Sequence, residues 1–228
     1  MLILAIDTAL GACAAAVLDS TTTRVLAQRV VPMARGHAEA LMPMIADVMA
    51  DSGIGFADLD RVAATTGPGS FTGLRVGLSA ARGIGLAAGK PVVGVTTLTA
   101  YAAPHISETS RDPVIAAIDA RHDQVYVQIV SGNGSSLMRP KLVPIDTVLE
   151  GARFGTPVIV GNAAATLAAR WPADIPPVLV DPQPAPDIQW VAWLGVAVNP
   201  DTALARPYYL RAPDAKPQPA PLAPPFAP

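Results

Sequence analysis

Short unbroken apolar runs open the chain, a spacing that suits buried strands better than helices. Leu2 to Ile6 stops at Asp7-Thr8, Ala12 to Leu18 follows Gly11, and Thr22 to Val31 gives a third strand, so the first thirty residues predict two strands on a tight turn plus a neighbour. From Gly36 the period changes. Ala38, Leu41, Met42, Ile45, Val48 and Met49 recur at helical spacing as far as Ser52-Gly53, and Pro43 inside the pattern predicts a bend or a late start. Val62 to Thr66 is a strand broken by Gly67-Pro68-Gly69. Ser70 or Thr72 then caps a helix to about Ala88 that Gly89 stops. Val92 to Val95 returns as a strand, and Thr96 to Ala103 reads as a short helix.

Beyond Pro104 a second strand-rich segment begins. Val114 to Ile118 and Gln124 to Val130 flank the polar turn Asp119-Ala120-Arg121-His122-Asp123. Val158 to Val160, Ala163 to Arg170, Val178 to Val180 and Ile188 to Val198 then read as strand, helix, strand, helix. Two halves that both open on a strand hairpin predict an internally duplicated α/β fold, although no repeat shows in the residues themselves.

Composition narrows the classes. Of 228 residues 51% are hydrophobic and 15% charged, enough for a sizeable core, and the formal net charge is −2. No apolar run approaches the roughly 20 residues that span a bilayer, and the opening residues lack a signal peptide's basic flank, so the expected location is cytoplasmic. The one cysteine, Cys13, excludes an internal disulfide and reads as a small buried hydrophobe. Sixteen Lys and Arg against eighteen Asp and Glu, with no two basic residues adjacent, give no cationic stripe for autonomous nucleic-acid binding. Any RNA is expected to be held through a partner. The 24 prolines cluster late, and after about Lys216 they predict an extended, unstructured tail.

Three stretches carry candidate chemistry. Gly67-Pro68-Gly69 between a strand and a helix N-terminus is either a phosphate cradle or simply a tight turn; it lacks the lysine of a Walker loop and the spacing of a dinucleotide fingerprint. Gly73, Gly77, Ala81 and Gly85 recur every fourth residue, a side-chain-free stripe that lets another backbone approach. That neighbour is either the protein's own sheet or, with the methionine-rich helix before it, a partner. The partner reading assigns Leu41, Met42, Ile45 and Met49 as apolar anchors beside the stripe. Asp7-Thr8, Asp119 and Gly161 stand where an actin-like fold would hold a metal–nucleotide, or they are ordinary turns. The histidines His37, His105 and His122 lack metal-ligand spacing, and no Gly-x-Ser-x-Gly elbow occurs.

Asp7-Thr8-Ala9, Gly36-His37-Ala38-Glu39, Thr66 to Arg75, Asp119-Ala120-Arg121 and Tyr209 to Asp214 together resemble the TsaB (YeaZ) family, over essentially all of Met1 to Asp214. The resemblance implies an α/β, actin-like (ASKHA) two-lobe fold of mixed sheets with flanking helices, its second lobe reduced. Residues 1–103 would form the first lobe, 104–214 the second and 215–228 the proline-rich tail. It further implies a non-catalytic dimerization subunit of the bacterial machinery that makes N6-threonylcarbamoyladenosine (t6A) at tRNA position 37. The implied partners are the catalytic paralog TsaD and the ATPase TsaE, with a homodimer when the paralog is absent and tRNA met only through the complex. No cofactor of its own is implied, and ATP belongs to the complex. Where the catalytic subunit carries a His-x-x-x-His metal pair, Thr97 and Tyr101 stand here, so the metal site is expected to be lost, leaving Asp7, Thr8, Gly67, Gly69, Asp119 and Gly161 as vestiges of a nucleotide site. The competing reading is an enzyme in its own right, an actin-like phosphotransferase using Asp7 and Asp119 or a residual M22-type peptidase. A phosphate-sensing module at the Gly67–Gly69 loop is a third.

Overall fold

The computed structural model describes residues 1–211; the expected tail, and the last three residues of the Tyr209–Asp214 motif, lie outside them. The apolar opening runs form strands β1 (Leu2–Asp7) and β2 (Ala12–Asp19), with β3 (Arg24–Pro32) antiparallel on the outer edge. Helix α1 (His37–Ser52) follows. It starts at His37, continues through Pro43 and stops at Gly53, whose left-handed φ of 73° suits glycine. Strand β4 (Arg61–Gly67), helix α2 (Phe71–Ala88) and strand β5 (Val92–Thr96) complete a sheet of order β3-β2-β1-β4-β5, in which β4 and β5 run parallel to β1.

The second sheet repeats this plan. After the short helix α3 (Thr97–Ala102) come β6 (Val114–Asp119), β7 (Gln124–Val130) and β8 (Ser136–Pro144) as an antiparallel meander. Short helix α4 (Ile145–Leu149), β9 (Val158–Val160), α5 (Ala164–Ala168), β10 (Leu179–Asp181) and α6 (Ile188–Ala197) follow. The order β10-β9-β6-β7-β8 is the first sheet's order with each strand replaced by its counterpart. The duplication expected from the paired hairpins is therefore present in the topology. The second half is the reduced one, since α4 and α5 span five residues each where α1 and α2 span 16 and 18.

Sequential boundaries do not coincide with the packing. In β1, Leu4 and Ile6 face α1 and α2, while Ile3 and Ala5 face the opposite side, and that side is covered by Ile188, Val191 and Ala192 of α6. Helix α6, assigned by sequence to a continuous second lobe of 104–214, thus covers the first sheet. Arg61 fixes it there: its buried guanidinium donates to the carbonyls of Gly195 at 2.7 Å and Val198 at 2.8 Å, at the negative end of α6. Conversely α3, assigned to the first lobe of 1–103, buries Leu98, Tyr101 and Ala102 against Val114, Ala116 and Ile118 of the second sheet. A sheet apolar on both faces needs a cover on both, and the chain supplies one only by returning. After α6 the strap 199–211 adds to the free edge of β5, where the Gly94 N–H donates to the Ala203 carbonyl, and then reaches the end of β4, where the Tyr208 N–H donates to the Thr66 carbonyl.

Candidate functional site

Of the residues expected as vestiges of a nucleotide site, Asp7, Thr8, Gly67 and Gly69 are positioned by the β1–β2 turn and the approach to the α2 N-terminus, which interlock. Asp7 ends β1 fully buried; its Oδ1 accepts the Ala9 N–H at 3.0 Å and the Thr65 hydroxyl at 2.5 Å, and its Oδ2 has no partner. Burial raises the Asp7 pKa above the ordinary carboxylate value, overriding those hydrogen bonds and the nearby His37. The same burial, with the Asp7 charge beside it, pushes the Cys13 thiol up to about 11.

Thr8 donates to the Gly73 carbonyl at 2.7 Å, and Ser70 N–H donates to the Ala9 carbonyl at 2.7 Å. A Cβ at Gly69 would collide with the Ala9 carbonyl, and one at Gly73 with the Thr8 carbonyl. The Ser70 hydroxyl caps α2 by accepting the Gly73 N–H. Glycine is needed here because the protein's own backbone fills the space a phosphate cradle would leave open. Gly67, at φ 104°, packs against Leu74 and the Tyr208 carbonyl. The tight-turn reading of Gly67–Gly69 is the one this geometry supports.

On the second lobe, Asp119 is exposed at the start of the β6–β7 turn. Its N–H donates to Asn162 Oδ1 and its Oδ1 accepts the Arg121 N–H, both at 2.8 Å. Gly161 approaches the Ala117 backbone at φ 103°. An inter-lobe cleft of about 360 Å³ gathers Gly69, Ser70, Asp119 and Arg121 with Arg211 of the Tyr209–Asp214 motif and with Tyr126, which the sequence reading did not single out. Asp7, Thr8, Gly67 and Gly161 do not line that cleft.

Thr97 and Tyr101 are both buried on one face of α3. The Thr97 hydroxyl has no partner, and Tyr101 donates to the Gln183 carbonyl at 2.9 Å, its pKa raised chiefly by burial. Two protonated hydroxyls are a poor donor set for a first-row metal, and the described residues contain no group of three or more His, Cys, Asp or Glu that could hold one.

The proposed partner residues require correction. Gly77 and Gly85 abut Thr8 and Val92, Ala81 is fully buried, and Leu41, Ile45 and Met49 belong to the first lobe's core. With Gly73, the whole stripe therefore packs the helix onto its own sheet. Periodicity shows that these residues share a face, and the sheet claims that face first. The outward surface is a different one. Met42, half exposed, joins Phe56, Ala80, Gly83, Ile84 and Ala87 around an apolar groove of about 600 Å³ between α1, α2 and the turn at 56–58. Ala80, Gly83 and Ala87 recur at i, i+3, i+7, a second small-residue stripe that was available in the sequence but overshadowed by the glycine one.

Among the described residues no helix is long and apolar enough to cross a membrane. A family model described as TsaD, tRNA N6-adenosine threonylcarbamoyltransferase, matches residues 22–178. The tRNA threonylcarbamoyladenosine biosynthesis protein TsaB of Haemophilus influenzae is 40% identical over 127 residues, covering 54% of this chain and 51% of that protein. The chain thus spans about half the length of this curated relative. An uncharacterized protein of Mycobacterium tuberculosis is 36% identical over 220 residues, 94% of each chain. The solved structure of YeaZ from Pseudomonas aeruginosa superposes with a TM-score of 0.72 at 28% identity, covering 92% of this chain and 99% of that one. With its duplicated two-lobe α/β architecture and its interlocked glycine loop, the chain belongs to the TsaB (YeaZ) branch of the threonylcarbamoyltransferase family.

Proposed function

We propose that this chain is a non-catalytic subunit in t6A biosynthesis that works by pairing its α1–α2 face with the catalytic subunit, TsaD, and so stabilises the form that transfers threonylcarbamoyl to tRNA adenosine 37. The observation that carries this reading is the apolar groove around Met42, Phe56, Gly83 and Ala87. It is the exposed side of the two helices whose other sides are occupied by the core. Exposed apolar surface of this kind marks contact sites, and a stable pairing buries on the order of 1,600 Å². The names of the relatives support the pathway, and the engaged backbone at Gly69 and Gly73 supports a role by contact rather than by chemistry at that loop. In the same reading a second copy of the chain takes the groove when TsaD is absent. TsaE, ATP and tRNA belong to the assembled complex.

The test is Met42→Glu with Ala87→Glu, which place charge in the groove without touching the core. The double variant is expected to melt like the wild type, to bind TsaD at least about thirtyfold more weakly, equivalent to about 2 kcal/mol, and to support correspondingly less modified tRNA. Wild-type affinity would place the pairing surface elsewhere.

A further inference from the structure

We propose that the strap 204–211 and the neighbouring edge of α2 form a stacking ledge for single-stranded RNA, a secondary contact that rests on the tRNA-directed role above. Arg82 donates from Nε and Nη2 to the Ala205 carbonyl, while the Phe71 ring lies 5.4 Å from that of Tyr209. The strap therefore runs antiparallel to α2. From residue 71 to 82 the helix rises about 16 Å, and from 205 to 209 the strap extends about 13 Å, so the two edges keep pace. Along this row Arg75 sits 3.7 Å above the Phe71 ring. At one end Arg82 and Arg206 line a hollow of about 360 Å³, and at the other Arg211 reaches the inter-lobe cleft.

Arginines dispersed in sequence are thus gathered by the fold. Neither residues 71–88 nor residues 202–211 contain a carboxylate, and Arg75, Arg82, Arg206 and Arg211 form no ion pair among the described residues. Phe71, Tyr208 and Tyr209 remain substantially exposed. Arg82 is held by the Ala205 carbonyl, and Arg211 by the Ala120 carbonyl and Gln124 Oε1. Half-exposed rings beside these guanidinium groups and those of Arg75 and Arg206 suit unstacked bases and their phosphates, whereas an apolar protein partner would bury the Arg75 and Arg206 charges with no counter-charge beside them. With a net charge of −2 the whole chain binds weakly alone, as befits a contact made within a complex.

The experiment is fluorescence anisotropy of a labelled, unstructured single-stranded oligoribonucleotide titrated with the full chain across a salt series. Tyr209→Ala should weaken binding about tenfold and Tyr209→Phe should restore it. Arg75→Gln with Arg206→Gln should reduce the slope of log affinity against log salt by about 1.4, at roughly 0.7 per phosphate contact on a single strand. No RNA binding at low salt, unchanged affinity in Tyr209→Ala, or equal competition by a polyglutamate peptide would overturn the ledge; the last result would identify an acidic protein surface instead. Pairing with TsaD, followed in parallel by sedimentation, should survive in all three variants. Loss of pairing in the groove variants with RNA binding intact supports the ledge as a separate surface, so the two readings fail independently.

Discussion

At the scale of single residues, Asp7 makes the sharpest thermodynamic statement. Its carboxyl is wholly enclosed, only one of its oxygens has partners, and desolvation raises its pKa. The unfolded chain titrates near the ordinary value of 3.8, so above that pH the unfolded state releases a proton that the folded state still holds. Stability contributed by the protonated Asp7 is therefore complete below 3.8 and is lost as pH rises toward the folded value, with a slope of at most about 1.4 kcal/mol per pH unit. Asp7→Asn keeps the acceptor for Ala9 and Thr65 but has no proton to lose. Melting temperatures recorded from about pH 4 to about pH 8 should show the difference between variant and wild type growing in the variant's favour before levelling off. A pH-independent difference would mean that the buried carboxyl is not the titrating group.

Elements show what periodicity can and cannot convey. The spacing of Gly73, Gly77, Ala81 and Gly85 correctly marks one face of α2, but a face alone does not say whether sheet or partner lies against it. A pair of substitutions separates the two. Gly73→Ala drives a methyl into the Thr8 carbonyl and should cost about 1–3 kcal/mol, the usual penalty of overpacking. Gly83→Ala meets open space in the same helix and should gain about 0.5–1 kcal/mol from the better helix former. Chemical denaturation of the two variants decides it, and equal effects would contradict the assigned orientation. Strands β1, β2 and β4 of the first lobe were legible because they are buried on both faces and so nearly uniform in hydrophobicity. Strand β8 was not. Ser136–Pro144 contains Pro140, alternates poorly and lies at the outer edge of its sheet, where a missing N–H is tolerated. The candidate groove suffered similarly, because alanine and glycine on an exposed face carry little apolar signal until Met42 and Phe56 are brought beside them from other elements.

For the molecule as a whole, the decisive feature is that each sheet borrows a cover from the other half of the chain. No sequence period reports this. Only the return of α6 to Ile3, Ala5, Ala63 and Val93, and the burial of α3 against β6, reveals it. A dissection at the expected boundary should therefore fail. Residues 1–103 expressed alone leave the α6-facing side of the first sheet bare and lack the strap that pairs with Gly94 and Thr66. Exposed apolar area of that extent favours aggregation over a cooperative fold. Joining residues 1–103 through a short flexible linker to 187–211 restores Ile188, Val191 and Ala192 to that face, together with the carbonyls that Arg61 holds. Packing of α3 beside α6 keeps the two ends close enough for such a linker. Circular dichroism melts should show a cooperative transition for the joined form and none for 1–103, whereas a cooperative melt of 1–103 alone would show that the returning helix is dispensable. Because the groove on α1 and α2 lies on the opposite side of the sheet from α6, the proposed pairing with TsaD predicts that the joined form binds TsaD as the full chain does, and failure of the joined form alone would tie that pairing to the second sheet.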